Sequence, residues 1–392
     1  MTASLNPPPS TGGRVDPESN WDIRAPWAAA VVVASRPGPP RLMSWLGRSR
    51  LLLALLLLAL LSGCASFPEF GVFVDEPQRT DRFLLPDEGT DVIGHVQYAV
   101  ARDEDTLLDF ARRYGLGYEE IVAANPDVDP WLPGAGTRVV LPTQFVLPDA
   151  PREGIVLNLA ALRLFYYPPA KEGQPREVVT HPVGIGREGW RTPVGHMRIT
   201  QKTANPSWRP PASVRREHAK MGDPLPAVVK AGPDNPLGAY AMRLSRPSYL
   251  LHGTNKPDGV GMRVSHGCVR LYPEDIERLF GEVAVGTDVR IINQPYIAGW
   301  RDNQLYLEAH EPLAEDAKRW DGSLAPMEKA VQAAGGDAPG VVDWQKAQEV
   351  ARQERGLPVP ITPGSPGLDK VIADARRVPR VPPWAEPAPQ AN

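Results

Sequence analysis

Cysteine is nearly absent: Cys64 and Cys268 are the only two in 392 residues, which excludes a disulfide framework and leaves each thiol needing its own explanation. A surplus of one charge is lacking as well. The 43 basic and 46 acidic residues leave a formal net charge of −3, so there is no electrostatic footprint for nucleic acid, and no such partner is expected. Nor does the conspicuous apolar run suffice to span a membrane, because Leu51 to Leu61 rises only ~16 Å as a helix against a hydrocarbon core of ~30 Å. With Arg48 and Arg50 before it and small residues after it, that run reads as the centre of a signal peptide covering 43–63. Proline is what abounds. Its 45 residues predict extended connections and tails around two or three folded parts.

Leu61-Ser62-Gly63-Cys64 resembles a bacterial lipobox. The resemblance implies that Cys64 is lipidated and becomes the mature N-terminus, and Ala65 after it implies sorting to the outer membrane. The expected location is the periplasm, with the membrane reached through a lipid anchor. Residues 1–42 fit poorly ahead of a signal whose basic region belongs at the start, so translation is expected to begin at Met43. Residues 64–94 then form a linker, and Cys268 is left with no intramolecular partner in an oxidising compartment.

Between 95 and 143 the pattern becomes strand, helix, helix, strand. Gln97 to Val100 alternate, Asp105 or Thr106 caps a helix bearing Leu107, Leu108, Phe110 and Ala111, a second helix near Tyr118 to Ala124 ends at Asn125-Pro126, and Gly134 to Leu141 turns and closes. Tyr98-Ala99-Val100, Asp105-Thr106-Leu107, Tyr114-Gly115, Ala124-Asn125-Pro126 and Val140-Leu141-Pro142 resemble a LysM module. That resemblance implies a small α+β (βααβ) domain gripping the glycan strands of peptidoglycan; a degenerate spacer is the alternative. From 153 to 295 short strands dominate: Ile155–Leu159 and Leu162–Tyr166 as a hairpin, then Val178–Val183, His196–Thr200, Ala239–Leu244, Tyr249–His252 and Asp288–Ile292. Pro273 to Phe280 is the clear helix. Ala204 to Leu237 is a proline-interrupted insertion whose Trp208 and Pro210-Pro211 suggest a flap. Residues 296–392 read as a strand at Gln304–Leu307, a helix capped by Asp343, a weaker one from Leu368, and a proline-rich tail.

The chemistry gathers around the second cysteine. A thiol of pKa ~8.5 is only slightly ionised at neutral pH, so a cysteine nucleophile needs a base or a positive neighbour. Leu251-His252-Gly253-Thr254 and Ser265-His266-Gly267-Cys268-Val269-Arg270 supply two imidazoles, a thiol and a guanidinium. His252 ends an apolar strand, and the Gly267-Cys268 turn is expected to expose the sulfur and to leave backbone N–H groups facing an oxyanion.

The string from His252 to Leu271 resembles the signature of the L,D-transpeptidase (YkuD) family, with Gly184, Gly186, Thr192-Pro193, Asn205 to Trp208 and Gly232 to Gly238 extending the match. The resemblance implies a mainly β catalytic domain of β-sandwich type. It implies Cys268 as nucleophile, His252 as proton acceptor and donor, His266 shaping the pocket and polarising the carbonyl, and Arg270 holding a substrate carboxylate; Ser265, Gly267, Thr254 and Trp208 are expected beside the substrate. The implied reaction is acyl transfer from a tetrapeptide stem, with release of D-alanine, to an amine on another stem or on a lipoprotein to be attached to the wall. The same site could hydrolyse, as an L,D-carboxypeptidase or by detaching lipoproteins, and a non-catalytic wall-binding lipoprotein is the remaining alternative. No cofactor or metal is required; a zinc site lacks a second free cysteine and an HxxxH-like pair. A papain-like enzyme would place cysteine before histidine, and only His310 follows. His95, His181, His196 and His218 are expected to be surface or structural, and Tyr240 to pack.

Overall fold

In the computed structural model, residues 81–85, 89–336 and 340–378 are described; residues 1–42, the segment 43–63 expected to be a signal peptide, and Cys64 lie outside them. The expected hairpin is Gly154–Asn158 paired with Arg163–Tyr167, Ile155 facing Tyr166. It belongs to a nine-stranded sheet whose order is Arg82–Leu84, Glu177–Pro182, Arg163–Tyr167, Gly154–Asn158, Asp288–Ile292, Gly195–Ala204, Tyr240–Leu244, Leu250–His252 and Val269–Arg270. The expected sandwich arises by folding this one sheet, not by stacking two. The ten-residue strand Gly195–Ala204 pairs with Asp288–Ile292 in one half and with Tyr240–Leu244 in the other, and its register shifts between Ile199 and Gln201. Such a shift bends and twists a strand. Ile155, Leu157 and Leu164 from one half therefore meet Met242, Leu251 and Val269 from the other in a single core, closed by Ile276 and Leu279 of the helix Pro273–Glu282.

The opposite face of the first half is covered too. Val156, Phe165, Tyr167 and Val178 pack against Ile93, Phe145 and Leu147, which explains why Ile155 to Leu157 and Leu164 to Tyr167 read as unbroken apolar runs.

Strand Gln97–Val100, helices Leu107–Arg113 and Tyr118–Ala124, and strand Arg138–Leu141 form the βααβ unit around Leu107, Phe110, Leu116 and Ile121. Of the two candidate caps, Thr106 is the one used: its hydroxyl accepts from Asp109 N–H, and the Asp109 carboxylate accepts from Thr106 N–H, while Asp105 accepts from Arg102 N–H. Buried Asn125 staples the second helix to the closing strand, donating to Ile121 O and Val140 O and accepting from Val140 N–H.

This unit is locked to the sheet. Arg163, 2% exposed, donates to both carboxylate oxygens of Glu120 at 3.0 and 2.6 Å, and the first N–H groups of helix Tyr118–Ala124 donate to Val260 O and Gly261 O. Gly117 and Gly261 touch so closely that a Cβ on Gly261 would lie 2.2 Å from Gly117 Cα.

The C-terminal segment has more structure than its proline content suggests. Tyr296–Arg301, Gln304–Ala309 and Val359–Pro360 form an antiparallel sheet, and helix Trp344–Gln353 is capped by Asp343 as expected. Short helices at Ala314–Trp320, Ala325–Val331 and Leu368–Ala373 complete it, and Arg376–Arg377 adds a parallel strand beside Gln97–Val100. Its core includes Val96, Ala124 and Val140. Among the described residues no helix is long and apolar enough to cross a membrane.

Candidate active site

Strand alternation decides which side chains face the groove. In Tyr240–Leu244, Met242 and Leu244 enter the core, so Arg243 points the other way; Leu251 and Val269 likewise enter the core. Arg243 lies opposite Leu250, Leu251 opposite Val269, and His252 opposite Arg270. Neighbouring strands lie about 4.8 Å apart. The register therefore gathers Arg243, Leu250, Cys268, His252 and Arg270 on one face, and all five line a groove of about 860 Å³.

The turn that presents Cys268 is braced from within and from behind. Gly267 adopts φ +103°, a region that favours glycine, and a Cβ there would meet the Tyr249 ring at 3.0 Å. Its N–H donates to Ser265 Oγ, whose own proton goes to Cys268 O at 2.6 Å; Thr192 Oγ1 donates to Gly267 O and accepts from Gly186 N–H. One expectation changes here: the Gly267 N–H is engaged by Ser265 and does not face an oxyanion. The Ser265 hydroxyl builds the turn, and Ser265 also lines the groove. Thr254, expected beside the substrate, spends its hydroxyl on a turn, accepting from Lys256 N–H and donating to Lys256 O, and through that turn holds Lys256 in the groove wall. Trp208 lines the groove.

His252 is buried, and its Nδ1 lies 2.6 Å from Gly253 O. A carbonyl only accepts, so Nδ1 carries the hydrogen and the neutral ring keeps its lone pair on Nε2. Burial, reinforced by the Arg270 charge across the strand pair, lowers its pKa to about 3. Burial also pushes the half-buried Cys268 thiol up, opposed by a backbone hydrogen bond from Leu250 and by the charges of Arg270 and Arg243. Both shifts favour uncharged forms, so the resting pair is thiol and imidazole, not thiolate and imidazolium. The thiol is directed at Ser248 O, 3.5 Å away. Arg270 is largely desolvated and lines the groove, and a guanidinium so placed is suited to a carboxylate.

His266 also lines the groove, its ring edge-to-face with Trp190 at 4.8 Å and bonded through Nε2 to Glu217 at 2.8 Å. Glu217 sits on Ala212–Lys220, a helix inside the expected flap. His218, expected to be surface or structural, is half-buried in the groove wall, 5.8 Å from the His266 ring. The other histidines stand apart from the groove: His95 is exposed, His181 is buried against Asp275, His196 meets Asp288, and His310 meets Glu308. Tyr240 packs on Phe280. Sequence reasoning missed Arg243, Glu217, Arg187 and Trp190; the alternation around Met242 would have exposed Arg243. Asp81, His181 and Asp275 cluster closely enough to hold an ion, but Arg278 already sits 2.6 Å from Asp81 and 3.8 Å from Asp275, and none of the three lines the groove.

Residues 152–291 match the L,D-transpeptidase catalytic domain, YkuD. A Salmonella typhimurium protein named a probable L,D-transpeptidase, ErfK/SrfK, is 40% identical over 311 residues, covering 77% of this chain and 98% of that protein. The Escherichia coli protein named a probable L,D-transpeptidase, YcfS, is 41% identical over 293 residues, 73% of this chain and 89% of its own length. Among solved structures, the catalytic domain of an E. faecium L,D-transpeptidase is 20% identical with a TM-score of 0.28, covering 37% of this chain and all of that one. The 40% identity along 98% of the Salmonella typhimurium relative places the chain in the L,D-transpeptidase family of enzymes.

Proposed function

We propose that this enzyme is a peptidoglycan L,D-transpeptidase with Cys268 as its nucleophile and His252 as its general base and acid. The observation that carries the reading is the His252 Nδ1–H bond to Gly253 O, which leaves Nε2 as the basic atom on the wall it shares with Cys268. Sγ forms a bond to the carbonyl carbon at the L-centre of the third stem residue as Nε2 takes the thiol proton. The C–N bond to the terminal D-alanine then breaks, and the imidazolium returns that proton to the leaving nitrogen. Arg270 opposes an imidazolium at His252, which favours this hand-on. An amine next attacks the thioester, Nε2 accepts its proton, the C–S bond breaks, and the sulfur is reprotonated.

The acceptor is an amine of a second stem, giving a 3→3 crosslink, or a lysine of a lipoprotein. The flap, closed at its base by paired Trp208 and Val229, limits the entry of water, which would otherwise make the enzyme a carboxypeptidase. Residues 95–143 are read as a LysM grip on glycan strands. Trp131, 60% exposed, stands beside the Tyr118 ring, and with its chain neighbour Leu132, 73% exposed, offers an apolar surface for it. Lipidated Cys64 is proposed to hold the protein at the periplasmic face of the outer membrane.

Purified protein incubated with tetrapeptide muropeptides tests the reaction. Dimers formed with loss of D-alanine and without incorporated water are expected, and Cys268→Ala should form none. Tripeptide monomers alone would mean hydrolysis, and no reaction with retained glycan pull-down would mean a binding protein. Trp131→Ala should weaken that pull-down, and the mass of the mature N-terminal peptide tests the lipid.

A further inference from the structure

We infer that Glu217 is a positioning residue of this reaction: from the flap it fixes the tautomer and orientation of His266, so that seating of the flap completes the groove around Cys268. The inference rests on the transfer reading above. A carboxylate only accepts, so the 2.8 Å contact puts the hydrogen of His266 on Nε2 and leaves the lone pair of the neutral ring on Nδ1; the Arg187 guanidinium, itself only a donor, comes to 3.3 Å of the same Nε2, and the shorter bond to the ionised Glu217 decides the tautomer. The other Glu217 oxygen is held by the Arg187 guanidinium. Arg187 is itself anchored to the catalytic turn through its N–H to Ser265 O at 3.0 Å. The carboxylate is therefore fixed at both oxygens, between the flap on one side and the Cys268 turn on the other.

Ring contacts set the plane and the hydrogen bond sets the proton. Trp190 meets His266 edge-to-face at 79°, and the His218 ring is tilted by 39°. Val214 is the one buried residue of the flap helix, so apolar packing alone seats that helix weakly and the polar link through Glu217 carries much of its registration. The charged and titratable groups around His266 are Arg187 from the segment before Trp190, Glu217 and His218 from the flap helix, Asp223 bonded to His218 just beyond it, and Cys268 on the same turn. Burial holds the His266 imidazole below its ordinary pKa, with Arg187 and His218 acting the same way and the Glu217 carboxylate opposing them.

The test compares Glu217→Gln and Glu217→Asp with the wild type on tetrapeptide muropeptides, together with long-range 15N spectra of the His266 ring. Glu217→Gln should lower kcat about tenfold with KM within about twofold, move the acid limb of the rate profile to lower pH, and shift the His266 ring from the Nε2–H form towards a tautomer mixture. Glu217→Asp keeps the charge and should restore the acid limb. Wild-type kcat, pH profile and ring spectrum in Glu217→Gln would overturn the inference. So would a loss of kcat with an unchanged ring spectrum, since that is a structural effect only. If the wild type forms no acyl adduct on Cys268, the transfer reading fails by itself, while the ring spectra still report whether Glu217 sets the tautomer.

Discussion

A histidine held neutral by burial costs stability in acid. His252 protonates near 6.5 when unfolded and only at about 3 when folded, so between those values the unfolded chain binds more protons and stability rises with pH. Above 6.5 both states are neutral and below 3 both are charged, so the slope is confined to that window, at about 1.4 kcal/mol per pH unit from this group. Urea titrations at pH 4.5 and 6.5 should show His252→Gln losing about 2 kcal/mol less than the wild type on acidification. Equal losses would assign the acid sensitivity elsewhere. Because His252 stays neutral down to about 3, it contributes no acid limb to the rate profile near neutrality. At the neighbouring turn, Ser265→Ala removes both the acceptor for Gly267 N–H and the donor to Cys268 O in a site only 2% exposed. A loss of about 1–3 kcal/mol in stability and slower acylation of Cys268 are expected, read by denaturation and by adduct mass against time.

Elements, more than single residues, determine where these side chains meet. The loop from His252 to Cys268 passes under the start of helix Tyr118–Ala124, where Gly261, at φ +78°, meets Gly117 backbone to backbone. Gly261→Ala adds strain and a contact that no side-chain rotation relieves. It should destabilise by more than about 2 kcal/mol and slow acylation together, and a wild-type melting temperature would show that the two elements slide freely. Cys268, His252 and Arg270 were legible because one stretch of twenty residues carries them with their strands. Glu217 lies 49 residues from His266 and Arg187 lies 79 away, so only the folded chain brings them together. The flap helix was hidden by Pro210-Pro211 before it and by having just Val214 as a buried apolar residue, too few for a periodic signal. Strand Tyr296–Arg301 escaped for a related reason: Gly299 interrupts it, fitted closely against Asp91 and Val146.

On the scale of the molecule, the βααβ unit is wedged between the catalytic sheet and the C-terminal segment. Its Val96, Ala124 and Val140 are core residues of that segment, and Arg355 donates to Ala124 O. A unit so enclosed cannot unfold without exposing its neighbours, so calorimetry should record one cooperative transition for residues 81–378 instead of separate ones. The buried Arg163–Glu120 pair tests the coupling most directly. Removing one partner leaves a desolvated charge, so Glu120→Ala should cost about 3–5 kcal/mol, whereas Glu120→Leu with Arg163→Met, which removes both charges, should recover most of it. If Glu120→Ala lowers the melting temperature of every probe together, the wedge is energetic as well as geometric. A separate early transition confined to the βααβ unit would instead show that this unit and the catalytic sheet are only loosely joined.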